Sequence, residues 1–202
     1  MDKTKIIVFS VLAACFYGVI HDQITIRLCP EYFTVAHPPI FHTSSLTLLA
    51  FYWGVAATAG IGAIVGYLLA VVSQEGVAVP LSLTQLLPPV SRLLIAMSLS
   101  ALIAGITGYW LSRLGWAAMP AFLSLAIPAI RQDRFMAAWF AHGASYVVGL
   151  SGSAILCYRL WVVRGRPRVI AAYPRKRGAI ARVILLALII LFILWAKRQT
   201  YW

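Results

Sequence analysis

The sequence predicts an all-α protein, a polytopic bundle of about five transmembrane helices, and three observations lead to that prediction. Hydrophobic residues make up 62% of the 202 residues and charged residues only 11%, whereas a soluble domain carries about 25% charged residues. Mean hydropathy is +0.88. Apolar runs recur along the chain: residues 46–72 contain no charge, and residues 93–111 are bracketed by Arg92 and Arg113. We therefore expect a single integral membrane domain over residues 1–202, with a structured loop after the first span.

Five apolar runs are assigned as spans, because a helix needs about 20 apolar residues to cross a bilayer. The fifth is long enough only if Arg182 extends its charge to the interface, so four spans remain the alternative. Segments 79–92 and 115–130 are apolar but interrupted by prolines, and both are predicted to lie at the membrane surface. The five predicted spans are residues 6–20, 46–72, 93–111, 135–158 and 179–196.

Small residues recur at every fourth position in the second and fourth spans. Such stripes allow another helix to approach closely within a bilayer. We therefore expect these two spans to lie centrally in the bundle. The two stripes are Gly54, Thr58, Gly62 and Gly66 in the second span, and Ala141, Ser145, Gly149 and Ser153 in the fourth.

The distribution of cationic residues predicts the orientation. Eight of the 17 lie within residues 159–182, between two apolar runs, and Lys3 and Lys5 precede the first run. Cytoplasmic loops are enriched in Lys and Arg, so the N-terminus is predicted to be cytoplasmic and the C-terminus non-cytoplasmic, in a bacterial inner membrane. The block at 159–182 is expected to face anionic lipids, and its position beside spans argues against nucleic-acid binding. Cleavage and lipidation at Cys15, within Leu-Ala-Ala-Cys, is the alternative to an uncleaved first span.

Polar residues are concentrated just after the first span, in residues 18–42, which are predicted to be non-cytoplasmic. Residues 23–28 alternate polar and apolar side chains, which is typical of an extended segment. Apolar residues further along this loop predict that it folds back over the bundle. Arg27 is expected to pair with Glu31 or Asp22, because partly buried charges need partners.

The fourth span carries one histidine, His142, about eight residues from its outer end, which is roughly 10–12 Å deep. Ionisable residues inside a membrane usually face the bundle interior and mark functional sites. At this depth the loop residues can reach it. The predicted ligand set is His21, Asp22, Glu31, His37 and His142, supported by Gln23, Arg27, Tyr32, Ser145 and Tyr146.

Imidazole and carboxylate ligands suit zinc, iron or manganese, and two histidines on different helices could also ligate haem. No pair has the spacing of a helical metal motif. Two alternatives therefore remain open: these side chains make structural hydrogen bonds, or they handle protons or a substrate.

The two polar segments resemble those of a group of small bacterial polytopic membrane proteins of uncharacterised function. That group carries His-Asp-Gln, Thr, Arg, Glu-Tyr-Phe-Thr and His after the first span, as in residues 21–37, and a later His with Ser-Tyr, as in residues 142–146. The resemblance implies that the two segments form one site, and it brings no activity with it.

Three functions are compatible with these patterns. The first is a membrane protein with a metal or cofactor site at the outer side of the bundle. The second is an accessory subunit of a larger membrane complex, which the small-residue stripes and the lack of a known motif would suit. The third, a small transporter, is disfavoured because the spans contain few polar residues and no repeat. The sequence names no reaction or substrate.

Overall fold

Helices form all of the regular secondary structure in the part of the chain that the structure describes. The computed structural model describes residues 3–75 and 78–164, and no strand occurs within those ranges. The helices are α1 (Lys3–Leu28), α2 (Glu31–Thr34), α3 (Leu46–Gln74), α4 (Leu83–Arg113), α5 (Ala121–Ser124) and α6 (Ala129–Arg164).

Four of these helices, α1, α3, α4 and α6, are long and apolar enough to cross a membrane. Each contains one predicted span, and the fit is closest for α3, which differs from the prediction only by two residues at its C-terminal end. The predicted fifth span, residues 179–196, and most of the basic block lie outside the described residues. The sequence therefore located the four long helices correctly, and their ends less well.

The extended segment predicted for residues 23–28 is wrong, because α1 continues through it to Leu28. The helix ends two residues before Pro30, since the residue before a proline disfavours the helical conformation. Within the helix, Gln23 and Arg27 lie one turn apart, and the Arg27 guanidinium donates to the Gln23 side chain. This extension places His21 and Asp22 inside a long helix rather than on a loop.

Residues 83–92, predicted as a surface segment separate from the third span, instead form the start of α4, which begins at Leu83. Ser82 and Gln85 form a capping box there, which satisfies backbone N–H groups at the helix start. Pro88 and Pro89 lie inside the helix, near its N-terminal end. Segment 115–130 contains the single-turn helix α5 and the first residues of α6.

The long helices pack as two close pairs, α1 with α3 and α4 with α6, and the pairs meet mainly through α3 and α6. Glycines make these approaches possible. A Cβ on Gly54 would lie 2.6 Å from the Val19 Cα, and one on Gly62 would lie 2.9 Å from the Val11 Cα. On α6, a Cβ on Gly149 would lie 2.9 Å from the Met97 Cε. The small-residue stripes therefore lie where the sequence placed them, at helix contacts.

Apolar side chains fill the two ends of this bundle. At one end Ile26, Phe33 and Phe135 are buried together with loop residues, and at the other Leu69 and Leu86 pack against the start of α1. Between the two cores lies a cavity that is lined by all four long helices, which we call the central cavity. Six of the ten residues singled out from the sequence line this cavity: His21, Asp22, His37, His142, Ser145 and Tyr146.

Arg164, the last residue of α6, is buried, although it belongs to the basic block that was predicted to face anionic lipids. Its guanidinium donates to the backbone carbonyls of Val72, Ala78 and Val79. Cations stabilise the carbonyl end of a helix, so this arginine closes the C-terminus of α3. At this position the guanidinium binds backbone carbonyls within the protein.

Candidate metal centre

Three of the five predicted ligands lie together in the structure. His21 and Asp22 come from α1 and His142 from α6, and one possible ligand atom from each lies within 4.8 Å of the others. Asp22 and His142 are only 6% and 8% exposed. The cluster therefore bridges the two helix pairs at a point that is nearly closed to solvent.

The orientation of His142 follows from its hydrogen bonds. Its Nδ1 lies 2.8 Å from the carbonyl oxygen of Ala138. A carbonyl only accepts, so Nδ1 must carry a proton and donate it. In the neutral ring Nε2 then has a free lone pair, and it lies 3.2 Å from Oδ1 of Asp22. Metal-binding histidines are usually oriented in this way, with the second nitrogen donating to a backbone carbonyl or a carboxylate.

A direct hydrogen bond between Asp22 and His142 requires one proton, held either by the carboxyl group or by Nε2. A metal ion would instead be bound by the carboxylate and by the Nε2 lone pair. The same pair of atoms is therefore suited to holding a proton or a metal, but not both at once.

His21 has the least satisfied side chain of the cluster. Its Nε2 is buried and has no hydrogen-bond partner among the described residues. The ring makes an edge contact with His142, with 4.4 Å between ring centroids, and stacks against Tyr17 at 5.7 Å. A buried polar atom without a partner costs about 1–3 kcal/mol, so this nitrogen is the atom of the cluster that gains most from a further partner.

Two further predicted ligands do not join the cluster. Glu31 accepts from Arg131 Nε at 3.1 Å and from the Cys29 thiol at 3.2 Å, so it belongs to an ion pair at the bundle end. Burial raises the pKa of Glu31, but hydrogen bonds from its own N–H, Cys29 and Arg131 outweigh burial and leave the pKa below its usual value. Arg27 instead donates to Gln23 and Thr47, so its expected pairing with Glu31 or Asp22 is wrong.

His37 lies nearby but is held by other groups. Its Nδ1 donates to the Tyr32 carbonyl at 2.7 Å, and its ring lies against Trp53 with 4.6 Å between ring centroids. Burial lowers the pKa of His37, and its bond to the Tyr32 carbonyl offsets only part of this effect. The ring lines the central cavity together with His21 and His142, so it forms part of the wall around the cluster.

No family model, no characterised protein and no solved structure matches this chain. The arrangement of side chains is therefore the basis for any functional conclusion.

The predicted supporting residues divide into two groups. Tyr32 stacks on His142 with 4.3 Å between ring centroids, and Ser145 and Tyr146 line the central cavity beside the cluster. Gln23 and Arg27 instead bind Thr47 at the start of α3. The first group surrounds the site, and the second fixes α1 to α3.

Tyr17 was missed by the sequence analysis. Ser145 Oγ donates to the Ala141 carbonyl at 3.0 Å, so Ser145 accepts the hydroxyl proton of Tyr17 at 2.7 Å. Tyr17 precedes His21 by four residues, which places both on one helix face. The four-residue spacing was visible in the sequence, but residues beyond 20 were assigned to a loop, and residues four apart share a face only in a helix.

Proposed function

We propose that this chain is a multi-pass protein of a bacterial inner membrane that binds a divalent transition metal between His21, Asp22 and His142. The convergence of these three side chains across two helix pairs is the observation that carries the proposal. Iron(II) and zinc are the preferred ions, and manganese is the third. Two histidines and one carboxylate form the ligand set of many iron(II) sites and of catalytic zinc sites.

The open coordination positions suggest what the metal would do. Three protein ligands leave at least one position for water or a substrate, so the ion would act on a bound molecule as well as joining the helices. Zinc separates its ligands by roughly 3.3 Å at bond lengths of about 2.0–2.1 Å. Ligand atoms spread over 4.8 Å would therefore draw together on binding, mainly by rotation of the His21 ring.

Haem is a poorer fit to the same residues. In a haem with two histidine ligands, the porphyrin and its iron lie between the two rings. His21 and His142 are in edge contact at 4.4 Å, which leaves no space for a porphyrin. We therefore expect purified protein to show no Soret absorption.

Metal analysis of detergent-purified protein tests the proposal. After loading with iron(II), zinc or manganese and removal of free ion, we expect about one metal per chain. His142→Ala and Asp22→Asn are each expected to lower the affinity for the metal at least tenfold, and so to retain less of it, since removing even an outer-shell partner of a metal site typically lowers affinity 10–100-fold.

His42→Ala is the matched control, because His42 is exposed and no contact places it near the cluster. It should bind metal as the wild type does. The proposal is wrong if correctly folded wild-type protein retains none of the three ions, or if His42→Ala loses metal to the same extent as His142→Ala.

The orientation of the chain is a further part of this proposal. Lys3 pairs with Glu75, so the start of α1 and the end of α3 lie at one end of the bundle, close to Arg164. The positive-inside rule supports a cytoplasmic position for that end and a non-cytoplasmic position for the metal centre. The resemblance of residues 21–37 and 142–146 to one group of bacterial membrane proteins agrees with a shared site there.

A further inference from the structure

Two hollow regions meet at the metal centre. The central cavity, of about 120 Å³, lies among α1, α3, α4 and α6. A second space, of about 480 Å³, is a groove between α1 and α4. Tyr17, His21 and Leu94 line both spaces, so the groove and the central cavity adjoin at these side chains.

The groove is long, apolar and open to the side. It follows α4 from Leu94 to Trp110, which is roughly 24 Å at 1.5 Å per residue, most of the ~30 Å thickness of the hydrocarbon layer. Phe16 and Ile24 on one rim and Leu102 on the other are largely exposed. In a bilayer these rims contact lipid chains, so the groove can be entered laterally without passing through water.

The floor of the groove is formed by small side chains. Ala137 and Ala141 of α6 lie at its base, where α1 and α4 make few contacts with each other. The space is thus a gap between the two helix pairs that reaches α6 at its base.

Charge restricts which lipid head can reach the cluster. Neither Lys nor Arg lines the groove or the central cavity within the described residues, and Asp22 is the only carboxylate there. Lipid phosphates are bound by basic pockets, so a phospholipid head has no partner here. A hydroxyl head fits, because it can donate to Asp22 or to the bare His21 nitrogen and can also offer its oxygen to a metal.

We propose that a lipid with a single long hydrocarbon chain and a terminal hydroxyl enters through the α1–α4 groove and places that hydroxyl at the His21–Asp22–His142 cluster. The groove holds the chain, and His21, which lines both spaces, is the first member of the cluster that the head reaches. The role of the head as a metal ligand rests on the function proposed above, whereas entry of the lipid rests on the groove alone.

Photolabelling in proteoliposomes tests this inference. The probe is hexadecanol carrying a diazirine near the middle of its chain, with the corresponding palmitic acid and a phosphatidylcholine probe as comparisons. We expect the alcohol to label peptides within 16–28 and 94–110 more strongly than either comparison probe. Ser98→Trp should reduce that labelling at least fivefold, because Ser98 is exposed and lines the groove.

Ile103→Trp is the matched control, since Ile103 is 65% exposed on α4 and does not line the groove. It should leave labelling unchanged. The inference is overturned if the alcohol labels all exposed helix faces equally, or if Ser98→Trp has no effect. Stronger labelling by palmitic acid than by hexadecanol would overturn the proposal that the head group is a hydroxyl.

Metal content is measured on the same preparations, so that the two proposals can fail separately. Groove labelling in protein that binds no metal supports lipid entry and overturns the proposal of a metal centre. Metal binding without preferential labelling retains the metal centre and overturns lipid entry.

Discussion

The backbone carbonyl of Ala138 determines which ring nitrogen of His142 faces Asp22. Because Nδ1 donates to the Ala138 carbonyl one turn earlier, Nε2 is the nitrogen that faces Asp22. The sequence identified His142 as an ionisable residue inside a span and placed His21 and Asp22 at a reachable depth. It could not identify the Ala138 bond, because every helical residue has a carbonyl four positions earlier and only the rotamer decides whether a side chain uses it.

At the same scale, Cys29 is expected to be an unreactive thiol. Burial raises its pKa to about 11, and the hydrogen bond to Glu31 together with the negative charge of Glu31 adds to this effect. The thiolate is the reactive form, so alkylation at pH 8 should be very slow. Glu31→Gln removes the charge, and the pKa should fall, which should accelerate alkylation of Cys29 severalfold at pH 8–9.

Mass spectrometry of the alkylated peptide measures that rate in protein with Cys15 and Cys157 replaced by alanine. Glu75→Gln removes a carboxylate at the other end of the bundle and serves as the control. Equal rates in Glu31→Gln and Glu75→Gln would show that Glu31 has no influence on the thiol.

At the scale of one element, α1 shows why a short alternating pattern misleads. Residues 23–28 alternate polar and apolar side chains, and six residues cover too few turns to separate a period of 2 from one of 3.6. The helix prevails because Gln23, Arg27 and Thr47 form a connected set of hydrogen bonds only when Gln23 and Arg27 are one turn apart. That set requires α3 as a neighbour, which the local pattern does not contain.

The α1–α3 contact predicts different outcomes for two glycines of one helix. A Cβ at Gly54 would lie 2.6 Å from backbone atoms of Val19, whereas one at Gly60 would meet nothing within 4 Å. Gly54→Ala should therefore lower the free energy of unfolding by about 1–3 kcal/mol through overpacking. Gly60→Ala should leave it unchanged or raise it slightly, since alanine favours helix.

Thermal unfolding in detergent, followed by circular dichroism, compares the two variants directly. We expect the melting temperature to fall by several degrees for Gly54→Ala alone. A similar fall in both variants would mean that glycine itself, and not the close approach of α1, matters at these positions.

At the scale of the whole molecule, labelling from one side of the membrane tests the proposed orientation. His42 and Val79 lie beyond opposite ends of α3, and both are exposed. In protein without native cysteines, we expect His42→Cys to react with a membrane-impermeant maleimide in intact spheroplasts. Val79→Cys should react only after lysis, and the reverse pattern would invert the orientation and place the proposed metal centre on the cytoplasmic side.

Composition and apolar runs were sufficient to predict the helical class and the four long helices, because burial in lipid requires long stretches without charge. The two spaces around the cluster were not predictable in the same way. They result from how closely Gly54 and Gly149 allow their neighbours to approach, and from the gap left between α1 and α4. Such distances depend on the packing of helices far apart in the chain, which no local pattern records.

The bridging position of the cluster also has a consequence for the order of synthesis. The α1–α3 pair is complete once residue 74 has been made, and the α4–α6 pair can close as soon as α6 follows α4. The contact of Asp22 with His142 spans 120 positions, so the site cannot form until residue 142 of α6 has been made. A nascent chain that stops before α6 would contain only His21 and Asp22 of the three proposed ligands. Binding of a metal by all three would therefore require that both helix pairs have been assembled.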